Sequence, residues 1–398
     1  MTFKITESVT WVGKVDWDLR SFHGHDLSTH RGSTYNSYLV RDEKNVLIDT
    51  AWTPYAREYV ENLASEIDLQ SIDFIVANHS EVDHSGALAE LMKLIPDKPI
   101  YCSRNAAKIL KAQNHQDWNF QIVKTGDKLD LGKKQLVFVE APMLHWPDSM
   151  FCYLTEEAIL FSNDAFGQHY ATEVMYNDLV EQDELYQESL KYYANILNPF
   201  SKLVPRKIDE FVQLNLPLKY ICPSHGVIWR DDPMQIVKQY ANWADNYQEN
   251  QVTILYDTMW NSTKRMAEAI ARGLGKHDPA MRVKIYNMAI TDNNDMVSEV
   301  FKSKAILVGS STINRGILPE VAGFLEEIKG LAFKNKKAAA FGSYGWSGES
   351  VDVVTQRLKD AGFEVVNEGI KCYWNPDAEM KANCEEFGET FLKENTTK

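Results

Sequence analysis

The stretch 76-VANHSEVDHSGALAEL-91 sets two histidines and three acids where an apolar run of strand type, "DFIVAN", gives way to a helical pattern opened by Ser85, "SGALAELMKLI". Only a sharp turn fits between them. Alternation along an extended strand end points His79, Glu81 and Asp83 to one side, and His84 follows as the chain turns. A lone histidine after a strand is ordinarily a satisfied core or surface residue. Four ligand-type groups packed this tightly repel one another or lose solvation unless a cation joins them, so the stretch predicts a metal site.

Single ligand-type residues recur further on, each where a strand-type run ends. His145 follows "LVFVE" in "APMLHWPDSM", Asp164 follows "AILF" in "LFSNDAFGQH", and His225 follows "LKYIC" in "ICPSHGVIW". An isolated Asp in "SND" is usually a turn residue; the shared placement is what carries weight. Loops at one end of a β-sandwich cluster in space, so these loops and the first one bring three carboxylates and four imidazoles to one place. That is too many for one tetrahedral zinc. It suits two metals, with Asp164 as the bridging carboxylate.

The chain of 398 residues is longer than one hydrophobic core usually holds, and two domains are expected. A hydrophobic content of 44% with 25% charged residues is that of a soluble globular protein. No apolar run is long enough to cross a bilayer, and "MTFKITESVTWVGKVDW" alternates like a strand and lacks the blocks of a secretory signal. Cys102, Cys152, Cys222, Cys372 and Cys384 are scattered and form no CxxC pair, which argues against disulfides, zinc knuckles and a built-in rubredoxin iron site. A reducing cytoplasm fits. The net charge of -14 excludes a general grip on nucleic acid.

Strand-type runs "SYLVRDEKNVLIDT", "KQLVFVEAP" and "EEAILFSND" mix with helical patterns such as "DELYQESLKYYANIL" up to about residue 248, predicting an α/β sandwich. From Gln251 the runs "VTILYD", "VKIYNM", "KAILVGS", "KAAAFGS" and "EVVNEGIKCYW" alternate with helical segments. Five such units predict a parallel, doubly wound sheet. The boundary is placed in "NYQENQ", giving domains 1–249 and 250–398.

At the head of the second domain, "YDTMWNSTKRMAEAI" runs from strand through a hydroxyl-rich turn into a helix. Thr258, Met259, Trp260, Asn261, Ser262 and Thr263 make the turn; its hydroxyls and the free amides of a helix N-terminus cradle a phosphate. Neither dinucleotide nor nucleoside-triphosphate glycine spacing is present, and a monophosphate such as that of FMN fits better. Two further loops, "GSSTINRGILP" with Ser310, Thr312, Ile313, Asn314 and Gly316, and "GSYGWSGES" with Ser343, Tyr344, Gly345, Trp346, Ser347 and Gly348, end strands three and four. In a doubly wound sheet all three lie at the carboxyl edge, where ligands bind. Tyr344, Trp346 and Trp260 offer flat apolar surface to a planar ring, although exposed loop aromatics also mark subunit interfaces.

The set His79-x-Glu81-x-Asp83-His84, His145, Asp164 and His225 resembles the metallo-β-lactamase αββα fold, in a variant where glutamate takes the place of the usual second histidine. That variant followed by a flavodoxin-like domain is similar to the flavodiiron proteins, class A, of the rubredoxin:oxygen or nitric oxide oxidoreductase type. The resemblance runs over essentially the whole chain, through "DWDLRSFHG", "STYNSYLV", "MLHWPDSMF", "NDAFGQH", "YYANIL" and "PSHGVIW". It implies two irons, one held by His79, Glu81 and His145, the other by Asp83, His84 and His225, with Asp164 between them; at the His84 position coordination varies in that family. It implies His23 and Tyr193 beside the iron pocket, placed to hydrogen-bond or protonate a bound diatomic.

The function implied is that of a terminal reductase. FMN takes electrons from an external donor, rubredoxin first and a deazaflavin-type donor second, for reduction of dioxygen to water or nitric oxide to nitrous oxide. The chain closes at "FLKENTTK" with no appended reductase module, so a separate donor is expected. A head-to-tail homodimer or dimer of dimers is implied too. The chemistry agrees, because exchanging a neutral imidazole for Glu81 adds charge and hard oxygen, which favours iron over redox-silent zinc. The competing readings are a zinc hydrolase of the same superfamily with an accessory flavodoxin domain, and an electron carrier with a vestigial metal site.

Overall fold

The strand-type runs of the first half pair into two sheets in a computed structural model of the chain, which describes residues 2–393. The chain forms two compact units. One runs from the N-terminus to Tyr193 and resumes over Phe200–Ala244; the other takes Ala194–Pro199 and the chain from Asp245 on.

In the first unit a seven-stranded sheet carries, in spatial order, Phe3–Lys4, Val9–Trp11, Tyr38–Val40, Asn45–Ile48, Ile72–Ala77, Ile100–Cys102 and Phe120–Ile122. A five-stranded sheet carries Lys128–Asp130, Gln135–Glu140, Met150–Leu154, Ile159–Asn163 and Tyr220–Pro223. Strand alternation turns Trp11, Tyr38, Val46 and Ile48 of the one sheet and Phe138, Cys152, Leu154 and Phe161 of the other into one buried cluster. Removing that apolar surface from water holds the two sheets together, at about 25 cal/mol per Å². The helices Ala56–Glu66 and Arg104–Asn114 lie between parallel strands of the first sheet in the chain, each with one apolar stripe buried.

This topology gathers strand ends. Gln135–Glu140 and Ile159–Asn163 are both antiparallel to Met150–Leu154, and Tyr220–Pro223 is parallel to Ile159–Asn163, so three carboxyl ends share one edge. Met150 N donates to Asn78 O (3.0 Å), which brings the end of Ile72–Ala77 there as well.

The turn after Ala77 differs from the extended arrangement expected for residues 79–83. The strand stops at Ala77, and Asp83 and His84 sit in a one-turn helix, Val82–Ser85, that begins before Ser85. Side chains from elsewhere take over the backbone groups that a strand ladder would use: Asn78 N donates to Asp49 Oδ1 (2.8 Å) and Ser80 N to Asp148 Oδ2 (2.7 Å).

In the second unit Arg282–Asn287, Glu249–Tyr256, Ser303–Gly309 and Lys337–Tyr344 run parallel in that spatial order, which is the flavodoxin-like doubly wound arrangement. The run "EVVNEGIKCYW", expected as one strand, is two pieces, Glu364–Val365 and Ile370–Tyr373, both paired with Lys337–Tyr344. Gly369, at φ +82°, lies between them, and a Cβ there would run into Ala340 O. The helices Ser262–His277 and Ala378–Thr390 touch backbone to backbone, because a Cβ on Gly273 or Gly388 would strike Glu385 O or Ile270 O of the other helix. No helix among the described residues is long and apolar enough to cross a membrane.

Lys336 is buried in this unit, its Nζ donating to Ser303 O (2.7 Å), Phe301 O (2.8 Å) and Tyr247 O (3.2 Å). Burial pushes the ammonium down to about 7, against the three carbonyls that favour its charged form. K336M should destabilise the protein by about 1–3 kcal/mol, because it takes a donor from buried carbonyls. Above pH 7 the unfolded chain keeps a proton that the folded one has released, so wild-type stability should rise from pH 7 towards pH 10 relative to K336M. Urea unfolding of both proteins at pH 7 and pH 9 checks the sign; parallel pH profiles would refute it.

Candidate metal centre and flavin pocket

All seven residues of the expected metal set meet at the shared strand edge, and they sort into two groups about Asp164. Asp164 Oδ2 lies 3.4 Å from His79 Nε2 and 3.1 Å from His145 Nε2, while Glu81 Oε2 lies 3.2 and 3.6 Å from the same two nitrogens. Asp164 Oδ1 lies 3.1 Å from His84 Nε2 and 3.5 Å from His225 Nε2, while Asp83 Oδ2 lies 3.2 and 3.0 Å from them. Each carboxylate oxygen of Asp164 thus faces its own pair of imidazoles and its own second acid. Donors bound at about 2.0–2.2 Å to one cation stand about this far apart.

The unmet bonds point the same way. Asp83 Oδ1, Asp164 Oδ1 and both ring nitrogens of His84 are buried without a hydrogen bond, an arrangement that costs free energy unless another partner arrives. Although burial opposes protonation, the surrounding acids hold His79 well above its ordinary pKa, and they raise His84 to about 9. Burial likewise raises Asp164, but His84, His145 and His79 outweigh it and hold the carboxylate well below the usual range. The donor set is built for positive charge and has room for two cations.

His23 meets the cluster from its own turn: its Nε2 lies 2.7 Å from Glu81 Oε1 and its ring stacks on Phe22. Burial disfavours its charged form, yet the bond to Glu81 and the neighbouring acids raise its pKa. Tyr193 is a correction. Its hydroxyl bonds Ser201 Oγ (2.9 Å) and its ring packs on Tyr240 and Trp243. The preceding residue, Tyr192, turns its ring to His169 and His225, and burial, with the nearby charge of Asp164, pushes its hydroxyl well above its ordinary pKa. The reason is helical rotation: the α-helix Gln182–Tyr192 ends here and a wider π turn, Tyr193–Leu197, follows, so adjacent tyrosines face different ways.

Three residues of the centre went unread in the sequence. Asp148 Oδ2 accepts from His79 Nδ1 (3.0 Å), His169 Nδ1 meets Ser33 Oγ (2.9 Å) beside His225, and Asp49 holds Asn78. "HWPDSM" and "FGQHY" contain the first two, but only pairing across the fold distinguishes them from turn residues.

The second unit holds a cavity of about 440 Å³ at the carboxyl edge of its sheet. Of the expected flavin residues, Met259, Trp260, Ser262, Thr312, Asn314, Ser343, Tyr344, Gly345, Trp346 and Ser347 line it. The others lie beside or beneath it. Thr263 Oγ1 is 3.0 Å from both Ser311 Oγ and Ser343 Oγ, which ties the three loops together. Ser310 Oγ accepts from Leu318 N (3.0 Å) and shapes its own loop. Ile313 and Gly316 bridge a tight turn whose middle residues, Asn314 and Arg315, both have positive φ. Gly348, at φ +79°, packs against the Tyr344 ring.

Two features fit a phosphate. Asn261, at φ +64°, starts the helix Ser262–His277 without a side-chain cap, and Thr258 Oγ1 is buried with no partner. Ser311, Arg315, Trp374 and Asn375 also line the cavity and were not anticipated. Trp374 and Asn375 follow Ile370–Tyr373, so they too sit past the carboxyl end of a strand.

Comparison with known proteins agrees with both halves. Residues 34–226 match the model of the ODP family beta lactamase and residues 254–388 that of flavodoxin. The anaerobic nitric oxide reductase flavorubredoxin of Aeromonas salmonicida is 54% identical over 396 residues, which are 99% of this chain and 76% of that protein. The rubredoxin oxygen:oxidoreductase of Desulfovibrio gigas superposes with a TM-score of 0.95 at 38% identity, covering 98% of each chain. The flavodiiron protein of Giardia intestinalis gives 0.94 at 33% identity, over 98% of this chain and 96% of that one. Whole-length similarity at these identities, over a lactamase-like unit with two donor groups and a flavodoxin unit with a flavin-sized cavity, makes this chain a member of the flavodiiron protein family, an oxidoreductase of FMN and a diiron centre.

Proposed function

We propose that the protein reduces nitric oxide, and dioxygen alongside it, with electrons from a rubredoxin-type donor. The observation that carries this reading is the division of the donor set by Asp164, whose two oxygens face separate carboxylate and imidazole groups. One iron is assigned to His79, Glu81 and His145, the other to Asp83, His84 and His225, with Asp164 shared. When bound, FMN supplies a carrier for incoming electrons, and the iron pair supplies the redox-active position for a diatomic gas. The chain's own residues do the rest. His23 and Glu81 hold a proton between Nε2 and Oε1 at the rim, and Tyr192 presents a hydroxyl proton beside Asp164.

Nitric oxide ranks first because relatives at 54% identity are named for it, and dioxygen is retained because the Desulfovibrio gigas protein is named for that gas. A rubredoxin-type donor is supported by both names. No CxxC pair is present in these 398 residues to form such a donor within them. Trp260 and Trp346, 82% and 87% exposed at the mouth of the flavin cavity, support a head-to-tail homodimer in which that apolar rim meets another copy. The five cysteines are buried and free, in keeping with a reducing cytoplasm.

The test is gas uptake by protein reduced through rubredoxin, with nitric oxide and dioxygen supplied separately. Uptake of nitric oxide at the higher rate is the expected result; no uptake of either gas by protein carrying FMN and iron would sink the reading. Y192F should lower uptake about 10-fold to 100-fold by removing the proton beside Asp164, whereas Y193F should leave the rate within about 2-fold. Equal losses in the two variants would contradict the assignment of Tyr192.

A further inference from the structure

The two metal positions differ in what stands behind their histidines. His79 Nδ1 meets the carboxylate of Asp148 at 3.0 Å, and both side chains are buried. His225 Nδ1 meets only a neutral acceptor, Thr34 O, at 2.6 Å, with Ser33 Oγ at 3.5 Å. His84 Nδ1 is buried with no hydrogen bond at all. The position served by His79 therefore has an anion hydrogen-bonded behind its ligand, in addition to Glu81, whereas neither His225 nor His84 has one in hydrogen-bond contact, and Asp49 acts on His84 only through space.

All the bonds to the Asp148 side chain converge on one oxygen. His79 Nδ1, Ser80 N (2.7 Å) and Ser80 Oγ (2.6 Å) each give a proton to Oδ2, whereas Oδ1 is buried and has no partner. A proton on Nδ1 leaves Nε2 as the free lone pair, and Nε2 is the atom turned to Glu81 and Asp164. An anionic acceptor strengthens that lone pair, because it favours the partial positive charge that the ring acquires as a ligand.

We propose that Asp148 is a positioning residue that fixes the tautomer of His79 and, through its negative charge, makes the metal position of His79, Glu81 and His145 the more electron-rich of the two. The inference rests on the assignment of the two donor groups as iron sites. A higher oxidation state is then favoured first at that position, so the pair is electronically unequal before any gas or electron arrives.

The bond pattern supplies a clean variant. In D148N the amide oxygen can stand at Oδ2 and keep all three bonds while the amide nitrogen takes the place of the unbonded Oδ1, so charge is removed and the hydrogen bonds are kept. Iron release to a ferrous chelator from the reduced full-length protein would be followed together with the midpoint potential of the diiron couple. D148N is expected to release one of its two irons about 10-fold to 100-fold more readily, to keep the other as in wild type, and to shift the potential positive. S80A, which removes a competing donor from Oδ2 and leaves more of its charge to His79, is expected to shift the potential the other way. Thermal melts of the iron-free proteins identify a variant that is merely misfolded, and S80A then carries the test alone. Wild-type release and potential in a folded D148N, or shifts of the same sign in both variants, would overturn the proposal. Wild-type protein that holds no iron pair would instead overturn the site assignment on which it rests.

Discussion

Replacing Asp164 by asparagine is expected to reduce iron to about one per chain and to lower gas uptake at least about 100-fold, with FMN retained. The expectation follows from the split of its two oxygens. An amide must put its nitrogen at one of the two positions, so either the pair His79 and His145 or the pair His84 and His225 faces an N–H group in place of an acceptor. A carboxamide nitrogen binds no metal, and the buried charge that balances the imidazoles is lost. Iron and flavin per chain, measured on the same sample as uptake from reduced rubredoxin, check each part. A variant with full iron and wild-type uptake would remove Asp164 from the bridging position.

The second large effect is expected at Glu81. E81H leaves His79 and His145 joined by a third imidazole, with Asp164 as the sole carboxylate of that group, a set that zinc accepts readily. It also removes the acceptor of the 2.7 Å bond from His23 and strips negative charge that favours oxidised iron. Uptake should fall at least about 100-fold, and zinc should displace iron at that position in cells supplied with both metals. Metal analysis after growth at equal zinc and iron, with uptake measured in parallel, decides it. Retention of both iron and turnover would show that the carboxylate is not what sets this family variant apart from a zinc hydrolase.

What the sequence by itself determined was chemistry at strand ends. Apolar runs of the right length break at His79, His145, Asp164 and His225, and the loops after three parallel strands carry hydroxyls, glycines and aromatics. Both patterns are local, and strand direction then obliges the ends to share an edge. The lactamase-like unit and the flavodoxin-like sheet are therefore legible from periodicity and turn chemistry together with the family resemblance.

Rotation and pairing across the chain were decided by tertiary structure alone. "KYYANIL" offers two adjacent tyrosines, and only the helix phase with its π turn sets which of them turns its ring to His169 and His225. Glu81, Asp83 and His84 converge through a one-turn helix and not by strand alternation, since Asp49 and Asp148 capture the backbone that would have extended the strand. Asp148 itself lies 69 residues from His79, beyond the reach of any spacing rule. Trp374 and Asn375 join the flavin cavity only because the last strand is broken at Gly369 and resumes beside Lys337–Tyr344. A local pattern can specify which groups a chain offers; which of them face one another depends on packing between segments far apart in sequence.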